Sequence, residues 1–136
     1  MPLRLDIVTP ERRIFSDEVD MAVLPGVEGE LGILPQHAPL VTALKPGELS
    51  YTRGGKTTYL AVGEGFVEVT AGSVAVMTDM AIGETDIDEK AVEDALQRAK
   101  DSLAGVSNDE EVATVQAAIQ KSLAQLHVKR RRRTTL

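Results

Sequence analysis

The hydrophobic pattern of this chain changes its period near residue 84, and that change limits the structures that the chain can form. Before this point apolar residues alternate with polar ones, and Gly or Pro repeatedly interrupts them. Short alternating segments between turn residues are typical of an all-β sandwich. Beyond it apolar residues recur at helical spacing. The sequence therefore predicts an N-terminal antiparallel β-sandwich over residues 1–84, followed by a C-terminal α-helical hairpin over residues 85–136.

Period-two alternation indicates where the strands lie. In two N-terminal segments the apolar members are predicted to face the core, namely Leu3, Leu5 and Ile7 in the first and Val19, Met21 and Val23 in the second. Two tight reversals are expected, at Arg53–Lys56, which contains two adjacent glycines, and at Ala71–Gly72. The other strands are predicted at residues 30–34, 40–44, 48–53, 57–62, 65–70 and 73–79.

Residues 85–136 carry start and stop signals for two helices. Asp86 or Asp88 is predicted to cap the first helix, and Asn108 or Asp109 the second, with a turn at residues 104–107. The predicted apolar stripes are Val92, Leu96, Ala99 and Leu103, then Val112, Val115, Ile119, Leu123 and Leu126. Because alanine fills many other positions, little apolar area is available at about 25 cal/mol per Å². We expect the hairpin to be weakly held.

Composition excludes several classes of protein. Apolar residues make up 43% of the chain, which is enough for a core, but aromatic residues make up only 3%. So few aromatics cannot form a base-stacking platform for single-stranded nucleic acid. The absence of cysteine excludes disulfides and thiolate metal sites. No apolar run reaches the roughly 20 residues that cross a bilayer, and the start lacks a signal-peptide pattern, so a cytoplasmic location is expected.

Charge divides the chain into an acidic body and a basic end. All 21 Asp and Glu residues precede residue 129, and the net charge is −6. The basic tip consists of Lys129, Arg130, Arg131, Arg132 and Arg133. Such a tip is predicted to seek an acidic surface. Nucleic acid is a disfavoured partner, because the acidic body would repel its phosphates.

The sequence contains no arrangement typical of catalysis. The stretch from Gly54 to Thr57 resembles the end of a phosphate-binding loop, but the required earlier glycine is replaced by Ser50. Neither Ser50, Ser73 nor Asp79 belongs to a nucleophile motif. The two histidines, His37 and His127, have no partner at metal-ligand spacing. We therefore expect no catalytic residue, no metal and no cofactor.

The most distinctive stretch is GELGILPQHAPLVTAL over residues 29–44, followed by Pro46-Gly47. It resembles the epsilon subunit of the bacterial F-type ATP synthase, in which Gly-Glu-Leu-Gly-Ile, His-Ala-Pro-Leu and a later Pro-Gly recur in this order. Further similar features are Leu5–Pro10, Phe15, Ser16, Gly65–Val69, Ala81 and Ala124–Leu126. The resemblance extends over nearly the whole chain.

The resemblance implies a non-catalytic rotor subunit of a proton-translocating synthase. Its sandwich would grip the gamma shaft and rest on the membrane-embedded ring of c subunits. By position in the motif, Glu30, Leu31 and Gly32 would face the ring, and His37 lies in the neighbouring motif. A simpler interpretation remains open, in which the glycines serve strand entry and the other residues have only structural roles.

For the hairpin, the resemblance implies a switch between a form folded on the sandwich and an extended form that restrains ATP hydrolysis. In the extended form the basic tip would meet an acidic segment of the catalytic β subunits, and this charge attraction would favour extension. The alternative is a solvated, frayed tail.

Some members of this family bind ATP through an Ile/Leu-Asp-x-x-Arg-Ala pattern at the start of the first helix. Here Ile87-Asp88 is present, but Ala91 occupies the Arg position. Since the cation that would meet phosphate is missing, weak or absent ATP binding is predicted.

The resemblance also implies a peripheral location at the cytoplasmic face of the bacterial plasma membrane. From the residues alone a different class stays open, a free-standing regulatory module that binds a small ligand in the sandwich. That class predicts a monomer with a distinct pocket.

Overall fold

The computed structural model describes residues 2–134, with side chains up to residue 131. The strands are β1 (Leu3–Val8), β2 (Arg13–Val19), β3 (Met21–Gly26), β4 (Gly29–Ile33), β5 (Leu40–Leu44), β6 (Gly47–Arg53), β7 (Lys56–Val62), β8 (Gly65–Thr70), β9 (Ser73–Thr78) and β10 (Ala81–Gly83). A 3₁₀ turn over Glu84–Asp86 leads to α1 (Glu89–Leu103) and α2 (Asp109–Thr134). The predicted sandwich followed by two helices is confirmed.

The described strands form one sheet path that folds into two layers. Its order is β10-β7-β6-β3-β5-β8-β9-β1-β2, and β4 pairs with β3 beside the path. The path turns at β3, where only Gly26 pairs with Leu44 of β5. The β2 end of the path lies over β6, where Phe15 of β2 stacks on Tyr51 of β6 with ring centroids 4.4 Å apart. The first layer is β10-β7-β6-β3, and the second is β5-β8-β9-β1-β2.

The core lies between these layers and is aliphatic. It consists of alternating inward residues of both layers, of which the largest fully buried are Leu3, Leu5, Ile7, Leu24, Ile33, Leu44, Leu49, Val19, Val62, Val67, Val69 and Val74. The pairs are antiparallel except β1 with β9, which run parallel. A purely antiparallel meander was expected, because sequence-adjacent strands form hairpins. The strands β1 and β9 are distant in the chain, so no hairpin fixes their relative direction.

One predicted strand segment has the wrong register. Val19 is buried, but it ends β2, and Asp20 interrupts the alternation by accepting a 3.0 Å hydrogen bond from the Gly54 N–H. In β3 the even-numbered positions face the core instead of the odd-numbered ones. Ala22 and Leu24 are therefore buried, whereas Met21 and Val23 are only half-buried. The separate strands β2 and β10 were also not predicted.

The predicted turn and cap residues are confirmed. Gly54 and Gly55 have φ of 58° and 80°, the left-handed values that a two-residue hairpin turn requires. Asp88 caps α1 by accepting from the Ala91 N–H at 3.1 Å. Asn108 caps α2 in the same way, from the Glu111 N–H at 2.8 Å.

The helical hairpin covers the outer face of the first layer. Along β7, Leu60 and Val62 face the sandwich core, whereas Ala61 is fully buried on the other side, among residues of the helices. Helix α2 packs on β6 and β7, and α1 packs on α2. This second cluster is formed by Ala61, Ile87, Val92, Leu96, Leu126 and Val128.

The predicted apolar stripe of α2 is displaced toward its C-terminal end. Leu123 is 41% exposed, while Ala124 and Val128 are buried. The helix also continues to Thr134, through the residues of the basic tip. No helix within residues 2–134 is both long enough and apolar enough to cross a membrane.

Gly65 supplies the most stringent test of this packing. A Cβ added at Gly65 would lie 1.9 Å from the backbone oxygen of Met77 on the neighbouring strand, and a backbone atom cannot rotate away. We predict that Gly65→Ala lowers the free energy of unfolding by about 2–4 kcal/mol, measured by urea denaturation. Gly72→Ala is the matched control, because its Cβ meets no atom within 4 Å. Equal stability of the two variants would contradict the described β8–β9 contact.

Candidate partner-contact site

Glu30, Leu31 and Gly32 lie on β4, which pairs only with β3 among the described strands. Their pairing partners are Pro25, Leu24 and Val23, respectively. Glu30 and Gly32 point away from the core, whereas Leu31 packs against it. Period-two alternation thus leaves Glu30 and Gly32 as the outward members of the predicted contact motif.

His37 lies in the loop at residues 34–39, beyond the end of β4 that is opposite to Glu30. Its backbone N–H donates to the Leu34 carbonyl at 3.2 Å, and its Nδ1 lies 2.7 Å from the Ala38 carbonyl oxygen. The preceding residue, Gln36, has a φ of 67° and donates its backbone N–H to the Ala71 carbonyl at 3.0 Å. The loop is therefore fastened to the β8–β9 turn. The structure does not join Glu30 and His37 into one cluster.

Glu30 faces a groove between the sandwich and α2. The groove has a volume of about 350 Å³. Its polar lining includes Glu30, Lys45, Glu48, Gln120, His127 and Arg131. Sequence reasoning did not predict these neighbours, because the helical residues lie about 90 positions away in the chain. Among the described residues no group of three metal-ligating side chains occurs, in this groove or elsewhere.

Arg130 of the basic tip bridges two carboxylates of α1. Its Nε lies 3.0 Å from Glu89 Oε2, and its second terminal nitrogen lies 2.7 Å from Glu93 Oε1. The hydrogen bond to Glu89, and then the one to Glu93, raise the pKa of this guanidinium above its usual value. Glu89 and Glu93 are four residues apart, so they share one helix face.

The neighbouring cations pair with acids of the sandwich and of the 3₁₀ turn. Arg131 lies 2.9 Å from a carboxylate oxygen of Glu48, which is only 14% exposed. Lys129 donates to the Glu84 carbonyl at 3.2 Å and lies 3.9 Å from its carboxylate. The predicted tip residues Arg132 and Arg133 lie outside the described side chains. These acid partners were missed, because nothing local in the sequence pairs them with residues of α2.

Another feature that the sequence did not predict is a row of exposed apolar residues on the outer face of the second layer. The strand register places Ala43, Phe66, Met77 and Val8 side by side across β5, β8, β9 and β1. Phe66 is 59% exposed and Met77 is 49% exposed. Alternation with the inward Val67 could have placed Phe66 on the outside. An exposed apolar row across four strands is typical of a protein contact surface.

The residues of the partial ATP motif have structural roles. Ile87 is buried in the second apolar cluster, and Asp88 caps α1. Ala91 is exposed and supplies no cation.

Comparison with known proteins covers both parts of the chain. Residues 2–84 match the family described as "ATP synthase, Delta/Epsilon chain, beta-sandwich domain", and residues 85–130 match "ATP synthase, Delta/Epsilon chain, long alpha-helix domain". The ATP synthase epsilon chain of Desulforamulus reducens is 46% identical over 120 residues, which are 88% of this chain and 91% of that one. The ATP synthase epsilon chain of Herpetosiphon aurantiacus is 40% identical, with 98% of each chain covered.

Solved structures share the fold. A chain of the Euglena gracilis mitochondrial ATP synthase superposes with a TM-score of 0.77 at 24% identity, covering 93% of this chain and 79% of that one. A chain of the Tetrahymena thermophila mitochondrial ATP synthase central stalk and c-ring gives a TM-score of 0.62 at 14% identity, with 95% and 97% covered. The relatives are named as one chain of a larger synthase, which confirms that this polypeptide is a subunit rather than an enzyme. Since both parts match in order and over nearly the full length, the chain belongs to the family of ATP synthase epsilon chains.

Proposed function

We propose that this chain is a central-stalk subunit of a proton-translocating F-type ATP synthase. In this role the sandwich couples the gamma subunit to the c-ring, and the hairpin regulates ATP hydrolysis by leaving the sandwich to reach the catalytic β subunits. The complex would hold the chain peripherally at the cytoplasmic face of the bacterial plasma membrane. Family membership supports this setting, and two separate surfaces of the sandwich support the two kinds of contact.

The observation that carries this proposal is the separation of two surfaces on opposite sides of the sandwich. The hairpin covers the outer face of the first layer, around Ala61, while the apolar row with Phe66 and Met77 lies uncovered on the outer face of the second. A partner bound to the apolar row would keep its contact whether or not the hairpin is docked. That independence is what a subunit needs if it must grip a shaft continuously and regulate intermittently.

We assign the two sandwich contacts to different partners. The apolar row fits the gamma subunit, because a contact that transmits torque needs buried apolar area, which contributes about 25 cal/mol per Å². The outward, charged Glu30 on β4 fits the polar loops of the c-ring, as its position in the family motif implies. His37 would contribute to the same ring contact from the separate loop at residues 34–39.

This assignment predicts that each of the two contacts can be weakened by mutation while the other stays intact. Phe66→Glu introduces a charge into the apolar row and should weaken binding of purified gamma by about 10-fold or more, measured by pull-down and titration. Glu30→Lys should leave gamma binding intact but lower retention of the rotor complex on c-rings. Glu18→Lys, an exposed charge reversal on β2, is the control for charge alone. The assignment fails if Glu30→Lys leaves both retention and coupling unchanged, or if Phe66→Glu binds gamma normally.

The regulatory role is tested by truncation. Removing residues 85–136 should raise ATP hydrolysis by the assembled complex severalfold, because no inhibitory element remains. The sandwich core forms a cluster separate from the helices, so it should still assemble. Removing only residues 129–136 should raise hydrolysis at low salt through loss of the basic tip. Unchanged hydrolysis in both truncated complexes would contradict the regulatory role.

For the hairpin itself we propose weak or absent ATP binding. The cation position of the motif is Ala91, and Asp88 and Ile87 are used for capping and packing. Titration calorimetry of the full chain with ATP should show no binding in the micromolar range. A micromolar dissociation constant would overturn this proposal.

A further inference from the structure

The part of α2 from Lys121 onward is attached to the rest of the chain by ion pairs. Four of its basic residues each meet an acid on another element: Lys121 with Asp79, Lys129 with Glu84, Arg130 with Glu89 and Glu93, and Arg131 with Glu48. These acids come from four places along the chain, namely β6, the segment after β9, the 3₁₀ turn and α1. Together they hold the end of α2 against the sandwich and against α1.

The three described cations of the basic tip are therefore all engaged in the docked form. Arg130 is the best placed of them, because its guanidinium contacts two carboxylates at 3.0 and 2.7 Å. Arg131 meets the most shielded acid, Glu48. A cation that is paired with acids of its own chain must give up those contacts before an extended helix can carry it to an acid of another subunit.

We propose that Glu48, Glu84, Glu89 and Glu93 form an intramolecular latch, which masks the basic tip while α2 is docked on the sandwich and on α1, and which opens when α2 leaves both. The consequence for the enzyme rests on the proposed function: the acidic segment of the catalytic β subunits and the latch compete for the same cations. The charge of the tip thus stabilises the docked form as well as the extended one. Its net influence depends on which acidic surface is within reach.

The ion pairs of the latch are weak enough for α2 to dock and undock reversibly. Exposed ion pairs are individually weak, so removing two of them should change a docking equilibrium by about fivefold. Salt should reduce this effect, because mobile ions screen the attraction between the charges of exposed ion pairs. A latch of this strength is released by a competing acidic surface without unfolding the sandwich.

Variants that lack the acids distinguish the effect of the latch from the effect of the tip cations themselves. The variant Glu89→Gln/Glu93→Gln deletes the partners of Arg130 but leaves every tip cation in place. The variant Arg130→Gln/Arg131→Gln deletes cations instead. The matched control is Glu110→Gln/Glu111→Gln, in the first turn of α2, where none of the ion pairs of the described residues is formed.

Docking of the full chain can be read from one introduced thiol. The natural sequence has no cysteine, and Ala61 is fully buried beneath the helices. In an Ala61→Cys background, a thiol reagent reaches the sulfur only when α2 leaves β7, against which it packs. At low salt the Glu89→Gln/Glu93→Gln and Arg130→Gln/Arg131→Gln variants should each label about fivefold faster than the background. The control should stay within about twofold. Unchanged labelling in both variants would overturn the latch.

The assembled complex then distinguishes competition from simple stabilisation. Glu89→Gln/Glu93→Gln releases an intact tip and should lower ATP hydrolysis, whereas Arg130→Gln/Arg131→Gln weakens the inhibitory contact and should raise it. Changes in the same direction would overturn the competition. If complete removal of residues 85–136 leaves hydrolysis unchanged, the proposed regulatory function fails, while the labelling experiment still decides whether the latch exists.

Discussion

The contact between α2 and the outer face of β7 is the interaction on which the two-part architecture depends. It buries Ala61 completely, on a strand whose other face already belongs to the sandwich core. The contact cluster is small, and its helical members Val92 and Leu96 are each still 9% exposed. A small apolar contact bordered by exposed ion pairs holds a hairpin without merging it into the core. This packing would let the hairpin, in its proposed regulatory role, leave a sandwich that remains intact.

Local features of the sequence predicted the architecture well, because they depend on nearby residues. The change of period, the caps at Asp88 and Asn108, and the glycine turn at residues 54–55 were all readable in this way. The errors concern long-range geometry. The carboxylate of Asp20 binds a turn far along the chain and shifts the register of β3, and no local signal shows that β1 pairs in parallel with β9.

For the candidate site, too, the sequence predicted the local features but not the long-range contacts. The motif places Glu30 and Gly32 outward, but Leu31 faces the core, and the groove beside Glu30 is completed by α2. The tip was expected to favour extension alone, yet Arg130 and its neighbours bind acids of their own chain. A charge run shows which sign of partner it attracts, but it cannot show that two such partners exist.

Native-state hydrogen exchange of the full chain tests the separability of hairpin and sandwich most directly. Amides in the C-terminal half of α2 should exchange through an opening of lower free energy than amides of core residues such as Leu5 and Val67. That difference should persist when the sandwich is stable. If helix and core amides instead exchange with one common free energy, the hairpin is an inseparable part of the fold, which contradicts a hairpin that opens independently of the sandwich.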